Sequence, residues 1–399
     1  MTRRTSDITC VVLLFLAGQL ITGALFSLRG PVLSPDSGYY LGLAPGFPES
    51  LSGPFWGYVG YIGLLRLGLL VGSQPWPAVI AQSVGVTLAA LAMLSLGRRY
   101  SGELAGWLAA SFYLLHPLIN QWTRYVLTES LFYAGIILTV WFLSRSIDNN
   151  APFSPYLWLV AVATASLRPN GILLLGAVAS ALVLARHHSA SLRVLVITGV
   201  WSCIFVLALF SPSLRASHDG YAFATSAWKG VVVQGVPETS VSMPAPASTD
   251  TSNAALVGYA AEHPVDMARL GLTRVWWEMK QVRPWYSRSL NAFTAISMSG
   301  LYAFSAIGAW VNRRSSLVII VACVTAPFAA VIAATWAIWE GRFGWWFLVL
   351  WIIVAGTGFQ SVLQWVTRRL PDGHPLRRVA NVATVGTSPQ HPPTEYPVN

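Results

Sequence analysis

The chain has 399 residues, 54% of them hydrophobic and only 10% charged, with a mean hydropathy of +0.56. A soluble domain carries about 25% charged residues, which excludes an ordinary water-soluble enzyme. The net charge of +10 is better explained by basic loops facing cytoplasm and anionic lipid than by nucleic acid.

A hydrocarbon core of about 30 Å needs roughly 20 apolar residues per helix. Such stretches run over about 8–28, 76–96, 105–121, 127–145, 155–168, 171–185, 194–212, 292–311, 316–338 and 343–363. They predict an all-α polytopic membrane protein of about ten transmembrane helices. Met1-Thr2-Arg3-Arg4 before the first stretch resembles the start of a signal peptide, but no small-residue cleavage site closes it, so it is expected to remain as a span. Cys10, Cys203 and Cys323 all fall inside apolar stretches and supply neither a disulfide framework nor metal-ligand spacing.

Retained loops are rich in Lys and Arg. With the N-terminus inside, the inner segments hold Arg3/Arg4, Arg98/Arg99, Arg145, Arg186/Arg193, Arg313/Arg314, and Arg368, Arg369, Arg377 and Arg378. Every inner segment is basic, so both termini are expected to be cytoplasmic. Residues 1–370 read as one transmembrane unit, and the Pro/Thr-rich residues 371–399 as a disordered cytoplasmic tail.

Two outer segments, about 29–75 and 213–291, are too long for turns. The first holds Ser34-Pro35-Asp36-Ser37-Gly38-Tyr39-Tyr40, then a Gly/Pro-rich stretch, then an apolar run from Phe55 to Leu70 carrying only Arg66. That run is interrupted by glycines and is predicted to lie along the interface. The second has a Ser/Thr/Pro/Ala linker around Thr239–Asn253. An amphipathic stretch follows from Glu262 to Lys280, with Arg269, Arg274, Trp276 and Trp277. Basic residues beside tryptophans predict a helix at the headgroup level.

An ionisable group at the bilayer centre costs about 2.5–3.5 kcal/mol and tends to be functional, although near span ends it snorkels cheaply. In this topology Arg124 and Glu129, Arg168, and Glu340 and Arg342 occupy short outer turns, with Asp36 just beyond the first span. Arginine there runs against the usual bias. Interfacial ion pairs would account for any one pair, whereas the whole set suits an anion-handling site. Pro-Asp-Ser-Gly is also ordinary turn chemistry, and Tyr39 and Tyr40 fit a site lining or an interface anchor. Arg168 could hold a phosphate bidentately. His116 before Pro117 reads as a satisfied helix-end histidine, with no zinc spacing around it. No Gly-rich phosphate loop or serine elbow is present, which excludes kinase and NTPase readings.

These pieces resemble the GT-C class of lipid-carrier-dependent glycosyltransferases, the superfamily of protein mannosyltransferases and lipid A aminoarabinose transferases. Asp36 with Tyr39 and Tyr40 follows the first span, as an acidic residue precedes a tyrosine there. Gly53-Pro54-Phe55-Trp56 leads into Leu64–Gly72, and His116-Pro117 comes next. Leu127-Thr128-Glu129-Ser130-Leu131 is close to a Leu-Thr-Glu-x-Leu pattern, and Arg168-Pro169-Asn170-Gly171 matches Arg-Pro-x-Gly. Glu262-His263-Pro264 resembles the last outer loop, and Glu340-Gly341-Arg342-Phe343 a variant of Glu-Arg-Tyr. The resemblance covers about residues 8–365. It departs at Ser37, where a second acidic residue is frequent, and at the inserted Gly341 and Phe343.

The resemblance implies a bacterial inner-membrane enzyme that takes a sugar from a polyprenyl-phosphate carrier at the outer face. The acceptor would be a hydroxyl of a glycan, lipid or protein. It implies inverting displacement with Asp36 as general base. Arg168, Arg342 and Arg124 would stabilise the departing phosphate, with Glu129, Glu340, Tyr39 and Tyr40 in support. The helix at 262–280 would cover the site or dock the acceptor. A divalent metal is not supported by any spacing. The absence of Asn-x-Ser/Thr sequons fits a bacterial source. Two rivals use the same arginines: a flippase or transporter for a lipid-linked anion, and a polysaccharide polymerase or ligase with a diphosphate-linked donor. The inner halves of the spans carry few ionisable residues to line a transport path.

Overall fold

In lipid every backbone polar group must find its partner within the protein, so apolar runs of this length form helices. The computed structural model describes residues 3–72, 75–186, 197, 201, 223–246, 253–371 and 374. The expected span at 194–212 apart from residues 197 and 201, the linker residues 247–252 and most of the tail lie outside the described residues.

In chain order the helices are α1 (Arg3–Arg29), α2 (Pro35–Leu43), α3 (Val59–Leu70), α4 (Trp76–Tyr100), α5 (Glu103–Leu115), α6 (Pro117–Asn120), α7 (Glu129–Asp148), α8 (Pro155–Ala165) and α9 (Ile172–Arg186). After the undescribed stretch come α10 (Phe223–Trp228), α11 (Asn253–Glu262), α12 (Pro264–Lys280), α13 (Arg288–Val311), α14 (Ser316–Ala334) and α15 (Trp345–Thr367). Among the described residues, α4, α7, α13, α14 and α15 are long and apolar enough to cross a membrane.

Four other expected spans coincide with shorter apolar helical stretches in α1, α5, α8 and α9. Proline sets three of these lengths. Pro117 follows the end of α5, and Pro169 separates α8 from α9, because proline lacks an N–H and holds the preceding residue out of the helical region. Helix α3 has 12 residues, about 18 Å at 1.5 Å per residue. That is too short for the hydrocarbon core, and it packs its buried Tyr61, Ile62 and Leu65 toward α4 and α2.

Small residues let these helices approach closely. A methyl at Gly97 would lie 2.4 Å from Gly106 Cα, and one at Gly358 would lie 1.9 Å from the Phe304 carbonyl oxygen. These contacts join α4 to α5 and α13 to α15.

Helix α7 separates two charged ends. At its C-terminus Asp148 pairs with Arg99 of α4, and nearby Arg98 pairs with Glu103. At its N-terminus stands Glu129, about 30 Å away for 20 residues. The ends of α2, α8 and the α14–α15 connection converge there.

Short strands tie the second long segment to that end. β1 (Val233–Gln234) runs parallel to β2 (Ala337–Ile338), pairing Val233 with Ala337 and Gln234 with Ile338. Helix α12 lies against α14 and β2. Its Arg274 and Glu278 are fully buried, so the amphipathic stretch turns two of its charged residues into the protein. Arg274 faces inward because carbonyl oxygens receive it: Nε donates to Val231 at 2.9 Å, and Nη1 to Ala333 and Ala334 at 3.0 and 3.2 Å. Trp276 alone of the basic-aromatic stretch's tryptophans is strongly exposed, at 61%.

Candidate active site

Asp36 owes its place to a helix start. Ser34 caps α2: its Oγ accepts from the Ser37 N–H at 3.3 Å, while Ser37 Oγ accepts from the Ser34 N–H at 2.9 Å. This reciprocal box satisfies two otherwise unpaired donors, and Pro35 supplies the first helical residue without needing a partner. Ser37 is therefore structural where a second carboxylate was the alternative. Asp36 lies in the first turn with its side chain 39% exposed. The next turn divides the two tyrosines. Tyr39 is 63% exposed, and Tyr40 is buried against Tyr58 and Tyr61 at ring separations of 5.0 and 5.6 Å.

Glu129 opens α7 and is buried. Arg168, held extended just before the 3-10 turn Pro169–Gly171, reaches it through Nη1, donating to Glu129 Oε1 at 2.5 Å and to Thr128 Oγ1 at 2.9 Å. Arg342 enters from the α14–α15 connection. Its Nη2 donates to Asp36 Oδ2 at 3.1 Å, its Nη1 lies 3.3 Å from Glu129 Oε1, and its Nε lies 3.6 Å from Glu340 Oε2. One guanidinium is thus surrounded by three carboxylates, and Glu129 is shared between two guanidiniums.

The pairing governs the ionisation of both arginines. Burial works against their charge, but Glu129 beside them holds both above the ordinary arginine range. Glu340 is pushed up to about 7 by burial, against the pull of Arg342 and helped by Glu129 and Asp36. Aromatic rings wall the cluster. The Arg168 guanidinium lies 5.4 Å from the Phe343 ring and 5.2 Å from Trp346. That of Arg342 lies 5.8 Å from Trp122 and 5.7 Å from Phe343. Phe343 is therefore a shared face for the two cations.

Among the described residues, Glu129 Oε2, Arg168 Nε, Arg342 Nε and Asn170 Nδ2 are buried without a hydrogen-bond partner. Buried polar atoms are rarely left so, and four around one cluster give it unused capacity for a polar ligand. The three carboxylates surround a guanidinium, which is not the donor set of a divalent cation, and no group of three or more His, Cys, Asp or Glu among the described residues could hold a metal. Beside α2 opens an apolar cleft of about 340 Å³ lined by Pro31, Leu33, Leu41 and Pro75.

Arg124 stands apart from the other expected site residues. It is half-buried over the Tyr125 ring at 5.7 Å, and makes no ion pair with a carboxylate among the described residues. Its turn is held by Gln82, whose Nε2 donates to the Thr123 and Tyr125 carbonyls at 2.9 and 2.7 Å. Sequence reasoning also missed the residues that hold the Arg342 loop. Tyr133 donates to the Arg342 carbonyl at 2.7 Å. Glu278 accepts from the Ile338 and Gly344 N–H groups at 2.5 and 2.9 Å. His116 is buried between Phe112, Phe293 and Trp345, with Ser297 Oγ 3.1 Å from Nε2.

Residues 61–215 match the model of the dolichyl-phosphate-mannose-protein mannosyltransferase family. Over that stretch the resemblance to GT-C glycosyltransferases holds. The matched stretch contains Glu129 and Arg168, while Asp36 and Arg342 lie outside it. Two solved structures of ArnT from Cupriavidus metallidurans are similar to the chain, one bound to undecaprenyl phosphate and one in the apo state. Each is 13% identical; they cover 92% and 93% of this chain and 82% of their own, with TM-scores of 0.35 and 0.38. No curated protein matches.

Proposed function

We propose that this protein is a membrane glycosyltransferase that moves a sugar from a polyprenyl-phosphate carrier to an acceptor hydroxyl, working at the outer face of the bacterial inner membrane. The observation that carries the reading is the contact of Arg342 with Asp36 at 3.1 Å. A carboxylate and a guanidinium side by side at a helix end are the two groups an inverting displacement at a sugar phosphate needs. The family matched over residues 61–215 is named for transfer from a lipid phosphate, which supports the donor class.

In this reading Asp36 takes the proton of the acceptor hydroxyl as its oxygen attacks the anomeric carbon. The bond from that carbon to the phosphate oxygen breaks, and the lipid phosphate leaves with the electron pair. Arg342, with Arg168 behind it, stabilises the charge that develops on the phosphate. A phosphate approaching Arg342 competes with Asp36 for the same guanidinium, so donor binding loosens the pair and frees the carboxylate to face the acceptor hydroxyl. Glu129 holds both arginines in place. The apolar cleft at Leu33 and Leu41 offers a surface for the isoprenoid chain.

The test is reconstitution in liposomes with polyprenyl-phosphate sugars and with diphosphate-linked glycans. Transfer from the monophosphate with inversion is expected. Transfer only from the diphosphate, or flipping without transfer, would overturn the reading.

A further inference from the structure

Six backbone groups of the segment Ile338–Gly344 are held from outside it. The Ile338 and Gly344 N–H groups donate to the two oxygens of Glu278. The Trp339 carbonyl accepts from Arg283 Nε at 3.1 Å, that of Glu340 from the Tyr286 hydroxyl at 3.0 Å, and that of Gly341 from Gln281 Nε2 at 2.8 Å. Five of these six ties come from residues 278–286, at the end of α12 and just after it; the sixth is the Tyr133 hydroxyl of α7, which donates to the Arg342 carbonyl at 2.7 Å. Gln281 itself turns through φ +53, which folds the chain back so that Gln281 and Arg283 face the same loop as Glu278.

We infer that Glu278 is a positioning residue that sets the orientation of Arg342, so that the second long outer segment controls the guanidinium facing Asp36. Three features carry this. Glu278 is fully buried, yet forms no ion pair among the described residues; both of its oxygens are spent on backbone N–H groups at either end of the Arg342 loop. Carboxylates accepting backbone N–H groups make strong, directional bonds. The loop has little regular structure of its own, and Glu278 is what holds its N–H groups at both ends: Gly341 is in the left-handed region at φ +71, and β2 is two residues long. The fork of an arginine acts through direction, so its setting matters more than that of a point charge.

The inference rests on the proposed role of Arg342 toward a lipid phosphate, and its test separates the two. Detergent-solubilised full-length protein is compared with Glu278→Gln for hydrogen–deuterium exchange of the peptide covering Ile338–Gly344, and for binding of undecaprenyl phosphate followed by tryptophan fluorescence. Glu278→Gln removes one acceptor and sets an amide against an N–H. Exchange in that peptide is expected to rise at least tenfold with α4 and α7 unchanged, and affinity to fall at least tenfold. In the Arg342→Lys background, where orientation matters less, the further loss of affinity from Glu278→Gln is expected to shrink below threefold.

Unchanged exchange at Ile338–Gly344 overturns the inference, as does an equal affinity loss in both backgrounds. If the wild-type protein fails to bind undecaprenyl phosphate while exchange rises as stated, the clamp stands and the donor reading falls. Should Glu278→Gln not accumulate, Tyr286→Phe removes a single hydroxyl from the same clamp. It is expected to raise exchange at Glu340 and Gly341 at least threefold, and unchanged exchange there overturns the inference.

Discussion

Arg342 donates to Asp36 at 3.1 Å across 306 positions of the chain, and the same guanidinium lies 3.3 Å from Glu129. The first long connecting segment, the start of α7 and the α14–α15 connection therefore meet in one side chain. An anion that binds Arg342 competes with Asp36 for the same guanidinium.

Asp36→Asn keeps the size of the side chain and an oxygen facing Arg342, but removes the proton acceptor. General bases contribute about 10²–10⁴-fold, so turnover is expected to fall at least about 100-fold. Insertion and thermal midpoint should be nearly unchanged, because Asp36 is partly exposed. Sugar transfer from a polyprenyl-phosphate donor, measured beside a thermal melt in detergent, checks this; near-normal turnover would remove Asp36 from the reaction.

Arg168→Ala tests the buried half of the cluster. Arg168 and Glu129 have side chains only 7% and 1% exposed. Removing one partner of a buried pair typically costs about 3–5 kcal/mol, whereas replacing both with apolar residues can be neutral. The single variant should melt well below the wild type, and Arg168→Met with Glu129→Gln, which removes the unpaired charge but leaves an oxygen for Arg342, should recover part of the loss while remaining inactive. Equal melts for the wild type and Arg168→Ala would show that the pair contributes nothing to stability.

Much of this cluster was legible in the sequence because lipid makes charge conspicuous. Asp36, Glu129, Arg168, Glu340 and Arg342 each stand at the edge of an apolar run, and the basic inner loops assign them to one end. Arg124 satisfied the same criterion and lies apart, since a 3-10 turn at Gln121–Arg124 directs it over Tyr125; spacing along the chain does not encode that direction. Glu278 and Arg274 were hidden for the opposite reason. On an amphipathic stretch a carboxylate and a guanidinium read as a solvated face. Only the partners at 231, 333, 334, 338 and 344, all remote in sequence, make their burial tolerable. The proline-shortened helices α5, α8 and α9 were likewise blurred, because hydropathy alone extends a span through the proline that ends it.

The raised carboxyls predict how stability depends on pH. Glu340 and Glu278 are each pushed from 4.5 to about 7, in both cases chiefly by burial. Between about pH 4.5 and 7 the folded protein keeps protons that the unfolded chain has released. Their contribution is therefore fully present below about pH 4.5 and is lost as pH rises through about 7. The thermal midpoint in detergent is expected to fall between pH 5 and pH 8, and Glu340→Gln should flatten part of that slope. A midpoint that rises over this interval would contradict the assignment.

Gly341→Ala probes the turn that presents Arg342. At φ +71 a side chain is strained by roughly 1–2 kcal/mol. Here a Cβ would also lie 2.7 Å from both Arg283 Nη2 and Gln281 Oε1. Those two atoms are side-chain ends that can shift, so the strained φ is the lasting penalty, and relaxing it rotates the loop that points the guanidinium at Asp36. Transfer is expected to fall at least tenfold, equivalent to about 1.4 kcal/mol in the barrier, together with a lower melting temperature. Gly300→Ala is the matched control: it lies within α13, where an added methyl meets nothing within 4 Å, and alanine favours the helix by up to about 1 kcal/mol. Its activity should be unchanged and its stability equal or higher. If the two variants behave alike, the conformation of Gly341 is not what sets Arg342.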